Sequence, residues 1–90
     1  MVQLTRADIE SLPENDETTY SVAMFKNGSL VKFGTTQLHI QRRKGKYAKK
    51  GNIAVLALKS FPEWAEYSSE NIAEDGGVSI EEYGLEIFRQ

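Results

Sequence analysis

Two runs of alternating polarity, Thr18 to Lys26 and Ser29 to Phe33, flank Asn27-Gly28, the pair that best tolerates the two positive-φ positions of a type I′ turn. A two-residue turn makes the runs an antiparallel hairpin and sets its register, placing Met24 opposite Val31 and Val22 opposite Phe33. In that register Tyr20, Val22, Met24, Val31 and Phe33 share a face that should be core. Ser21, Ala23, Phe25, Leu30 and Lys32 lie on the other, small and partly basic, as expected of a solvated or ligand-facing surface.

Around this hairpin the remaining elements follow from local signals. Thr5 can cap a short helix from Arg6 to Leu12, with Asp8 at the position that reaches back and Leu4 and Ile9 as a hydrophobic staple. Pro13 ends it. After Gly34, residues 36–42 alternate as a third strand with Leu38 and Ile40 on one side. Residues 43–51 read as an exposed connection, and Ile53 to Lys59 as a fourth, almost continuously apolar strand with either Ala54, Leu56 and Leu58 or Ile53, Val55 and Ala57 inward. Ser60, Pro62 and Glu63 spell a helix start, predicting a helix to about Glu74 that stops at Gly76-Gly77. The last thirteen residues carry both periods: Ile80, Tyr83, Ile87 and Phe88 fall at helical spacing, while Tyr83, Leu85 and Ile87 alternate. The capping box from Ser79 to Glu82 tilts that reading toward helix. The predicted whole is one α+β domain over residues 1–90: a short N-terminal helix, a four-stranded antiparallel sheet and a C-terminal helix or helices.

Composition narrows the chemistry. The chain of 90 residues has no Cys and one His, which excludes disulfides and thiolate chemistry and argues against a histidine zinc site. His39, the only neutral-pH base of the usual kind, has no acid near it in sequence, and neither a nucleophile elbow nor a Gly-rich phosphate loop occurs. The expectation is therefore a non-enzymatic protein with no cofactor. The apolar stretch Ile53 to Leu58 is too short to span a membrane and residues 1–4 do not begin a signal peptide, so an intracellular location, cytoplasm or nucleoid, is expected.

The net charge of −2 conceals a segregation. Residues 1–25 sum to −4, residues 26–59 carry nine Lys or Arg and no acid, and residues 60–90 sum to −7. Cations without carboxylates cannot neutralise one another, and phosphate backbones satisfy such a field through counterion release. Aromatic side chains add flat surfaces on which unpaired bases stack. These considerations select Phe25 and Tyr47 as stacking groups, Arg42 and Arg43 as forked donors, and Lys26, Lys32, His39, Lys44, Lys46, Lys49 and Lys50 as further contacts.

Tyr20-Ser21-Val22, Phe25-Lys26-Asn27-Gly28, the loop Arg42-Arg43-Lys44-Gly45, and Lys49-Lys50-Gly51 leading to an apolar strand and Trp64 together resemble the single-stranded-DNA-binding transcriptional coactivators called positive cofactor four, over residues 18–67. The resemblance implies a dimer gripping unpaired DNA on a β-surface, with Phe25 stacking and Lys50 on the backbone. Gln37 departs from it, standing where family members tend to carry an aromatic base platform. Expected partners are thus single-stranded nucleic acid, DNA favoured, and a second copy of the chain, with no membrane. A different class of function, a small protein-binding regulator, is suggested by the acidic flanks, where Glu63, Glu66, Glu70 and Glu74 would line one helix.

Overall fold

A computed structural model describes residues 1–14, 16–43, 46, 54–58 and 65–90. Among them the chain forms β1 (Val2–Gln3), α1 (Arg6–Glu10), β2 (Thr19–Lys26), β3 (Ser29–Arg42), β4 (Ala54–Leu58), β5 (Ala65–Ser68), a single 3-10 turn (Ser69–Asn71), β6 (Val78–Ile80) and β7 (Tyr83–Arg89). The seven strands make one antiparallel sheet in the order β1-β7-β2-β3-β4-β5, with β6 beside β7. The α+β class with a four-stranded sheet is thereby overturned: the fold is mostly β, with one short helix.

The hairpin forms, with Asn27 and Gly28 both at positive φ (50° and 82°). Its register holds at the turn, where Phe25 faces Leu30, and then slips by one residue, so that Met24 faces Lys32 and Val22 faces Gly34. The extra residue in β3 is a bulge. Tyr20, Val22 and Met24 are core as expected, whereas Val31 and Phe33 are exposed, because past the bulge the β3 residues opposite Met24 and Val22 are Lys32 and Gly34.

β3 is also longer than its sequence pattern indicated, running through Gly34 without a break. At about 3.3 Å per residue its 14 residues would reach some 43 Å, more than the 36 Å longest dimension of the molecule. The strand therefore bends, pairing with β2 up to Gln37 and with β4 from Leu38. The sheet curls until its ends meet: Ile72 bridges Val78, and the Ala73 N–H donates to the Gly77 carbonyl (2.8 Å). Inside lie Leu38, Ile40, Leu56, Leu58, Tyr67, Leu85 and Ile87, with Leu4, Ile9 and Leu12 in the same cluster. In β4 the set Ala54, Leu56 and Leu58 faces in, and Ala57 is buried as well.

α1 starts as its cap predicts. The Thr5 N–H donates to Asp8 Oδ2 (2.9 Å) and the Asp8 N–H donates to Thr5 Oγ1 (3.2 Å), although the helix stops at Glu10 and not at Leu12. The expected helix to Glu74 does not form over residues 65–74. There Tyr67 points into the core between outward Glu66 and Ser68, a strand period, and Asn71 accepts from the Ser68 N–H (3.1 Å) and hydroxyl (3.0 Å), closing a tight turn. Residues 59–64, the start of that helix, lie outside the described residues. The C-terminal segment takes the alternating option, with Leu85 and Ile87 buried in β7. The acidic C-terminal helix that would line up Glu63, Glu66, Glu70 and Glu74 is therefore absent over residues 65–74, where Glu66, Glu70 and Glu74 stand on a strand, a 3-10 turn and a loop. No helix of the described residues is long and apolar enough to cross a membrane.

Candidate nucleic-acid interface

Beyond the bulge, alternation divides β3 into an inward row, with Thr36, Leu38 and Ile40 buried, and an outward row of Phe33, Thr35, Gln37, His39 and Gln41, leading to Arg43. Phe33 is 53% exposed, and Thr35, Gln37, Gln41 and Arg43 are exposed while His39 is half-buried. The row contains an aromatic plane, two amides, an imidazole and a guanidinium, and no carboxylate. Gln37 is held by the segment before β2, its Nε2 donating to the Glu17 carbonyl (3.0 Å).

The residues selected from sequence are divided by this geometry. Lys26 leans back over the Tyr83 ring (5.6 Å to the centroid), with Glu82 Oε1 4.0 Å from its ammonium. Phe25 is half-buried and lines a shallow hollow of about 290 Å³ with Val78, Gly84, Leu85, Asp75 and Glu86. A phosphate entering there meets two carboxylates. Arg42 serves the fold: its guanidinium donates to the Leu12 carbonyl and its N–H to Glu14 Oε1 (2.8 Å), tying the segment after α1 to β3. Its other terminal nitrogen, Nη1, is buried with no hydrogen-bond partner among the described residues.

Lys32, Arg43 and Lys46 are exposed, with His39 between them along the strand. Lys44, Tyr47, Lys49 and Lys50 lie outside the described residues. The cations are thus spread along β3, Lys32 being some 30 Å of strand from Arg42 at about 3.3 Å per residue. Phe33 is the group that sequence reasoning missed as a surface aromatic. Simple alternation placed it in the core, and nothing in the local sequence marks the bulge that turns it outward. Among the described residues no group of three or more His, Asp or Glu side chains is placed to hold a metal ion.

Comparison with known protein families, curated proteins and solved structures gives no match. The reading of the site rests on its own geometry.

Proposed function

We propose that this chain is a non-enzymatic module that binds single-stranded nucleic acid, DNA favoured, along the outward row of β3. The observation that carries the reading is Phe33, a half-exposed aromatic at one end of an acid-free strand that leads into a cationic segment. The backbone of a single strand tracks the cations Arg43 and Lys46 and the lysines that follow in sequence, while a base stacks on the Phe33 ring. Gln41 and His39 offer donors and acceptors to base edges without demanding one sequence. Phe33 takes the stacking role first assigned to Phe25, since carboxylates repel phosphate at the Phe25 hollow. The partial resemblance to single-stranded-DNA-binding coactivators points the same way.

Fluorescence anisotropy with a labelled single-stranded oligonucleotide tests the reading. Phe33→Ala should weaken binding by about 1–3 kcal/mol, or roughly 5- to 150-fold, and Phe25→Ala should weaken it far less. Equal affinity of wild type and Phe33→Ala would remove the β3 row from the site.

A further inference from the structure

Past the bulge, the strand pairings lay three residues in one row across the outward face of the sheet: Glu86 of β7 opposite Ala23 of β2, and Ala23 opposite Phe33 of β3. The flanking rows are Phe88, Ser21 and Thr35 on one side and Gly84, Phe25 and Leu30 on the other. The alternate residues of β2 and β7, Val22 with Ile87 and Met24 with Leu85, are core, which fixes the row as outward. Glu86 is half-buried, and among the described residues it forms no ion pair or hydrogen bond. Two strand spacings, about 10 Å, separate it from Phe33. Within the row, only the methyl group of Ala23 stands between the ring and the carboxylate.

We propose that Glu86 selects the base that stacks on Phe33, accepting a hydrogen bond from an exocyclic amino group, so that cytosine is preferred to thymine. The proposal rests on the nucleic-acid reading above and adds a base preference to it. Aromatic rings stack offset, and a pyrimidine offset toward β2 on the Phe33 ring lies over Ala23 with its edge at Glu86. A carboxylate only accepts. Cytosine offers it the N4 amino group, a pairing that carboxylates make with this base, whereas thymine carries the O4 acceptor at the same position and is repelled. The same negative charge orients the strand. Phosphates stay on the side of β3, which leads to Arg43 and the cationic segment after it, and bases point across β2 toward β7. A wholly apolar patch would hold either pyrimidine equally, since every base has a π-face.

Anisotropy titrations with labelled oligo-dC and oligo-dT of equal length, at mildly alkaline pH where cytosine stays unprotonated, test this preference. The wild-type chain should bind oligo-dC about 5- to 30-fold more tightly than oligo-dT. Glu86→Gln, whose amide both donates and accepts, should bring the two affinities within about twofold of each other. Phe33→Ala should erase the preference too, because the amino group reaches Glu86 only from a base seated on that ring. A carboxylate that merely repels phosphate behaves differently: Glu86→Gln would then tighten both oligonucleotides by one factor and keep their ratio. An unchanged ratio in Glu86→Gln, a full preference in Phe33→Ala, or equal affinities in the wild type would overturn the proposal. Salt-dependent binding of both oligonucleotides in those cases would leave the nucleic-acid reading standing. No salt-dependent binding of either would overturn both.

Discussion

Two residues of this chain show how one atom decides a position. A Cβ at Gly76 would lie 1.6 Å from the Leu4 carbonyl oxygen, and its φ is +93°. That turn supports the N-terminal segment, whose Leu4 N–H donates to the Ile87 carbonyl (2.8 Å). Gly76→Ala must therefore move backbone and adopt a strained φ, and we expect a loss of roughly 3 kcal/mol or more, read as a lower urea midpoint. Gly28 also has positive φ but open space around it, so Gly28→Ala should cost only about 1–2 kcal/mol. Arg42 is the second case. Its sequence neighbourhood reads as a phosphate contact, yet its guanidinium serves the Leu12 carbonyl. Arg42→Ala should lower stability by about 1–3 kcal/mol by stranding that carbonyl. If stability were unchanged and only oligonucleotide affinity fell, Arg42 would return to the interface.

At the scale of elements, the sequence signals that held were those with a local chemical cause. The Thr5 cap needs only Asp8, and the Asn27-Gly28 turn needs only tolerance of positive φ. Both were legible. The helices predicted for the C-terminal third rested on capping residues and a thin apolar stripe, and there the competing period of two prevailed because Tyr67, Leu85 and Ile87 fill the inside of a curled sheet. The bulge in β3 had no local signal, and its effect was the largest for the site, since it placed Phe33 outside. The sequence did mark the acid-free character of β3, which supplies the outward row, while the partners of Lys26 and Arg42 come from segments distant in sequence. The turn between β6 and β7 carries one more consequence. Glu81 sits at φ 50°, a conformation that costs a side-chain-bearing residue about 1–2 kcal/mol. Glu81→Gly should raise stability by about 0.5–1 kcal/mol after the entropy of the glycine is counted, seen as a higher midpoint in thermal or urea unfolding. A lower midpoint would mean that the Glu81 side chain makes compensating contacts.

Over the whole molecule, ionisation brackets the range in which this fold is stable. The backbone N–H of Thr5, then its hydroxyl, hold the Asp8 carboxyl below its ordinary 3.8. Hydrogen bonds from the Thr18 hydroxyl and N–H, joined by the Tyr20 hydroxyl, do the same for Asp16. For a carboxyl lowered in the folded state, the stabilisation is present above the unfolded value and is lost as pH falls through the folded one. Burial raises the hydroxyls of Tyr20 and Tyr67 above 10.0, aided by Asp16 at Tyr20 and by Tyr83 at Tyr67. Their contribution is complete below pH 10 and is lost as pH rises through the raised values. Urea midpoints should thus fall below about pH 4 and above about pH 10. Asp8→Asn should flatten part of the acid limb, and an unchanged limb would show that the cap does not titrate with folding.

The near-neutral charge of the intact chain would argue against a nucleic-acid partner if charge were uniform along it. Its segregation instead leaves an acid-free strand, with acids on β5 and β7 and in the turns beside β6 and β7. The dependence of single-stranded oligonucleotide affinity on salt tests this most directly. Contact with five to six phosphates predicts a log–log slope of about −3.5 to −4, with Phe33→Ala lowering affinity at every salt concentration and leaving the slope in place. Binding that does not weaken with salt, or none at micromolar protein, would contradict the account.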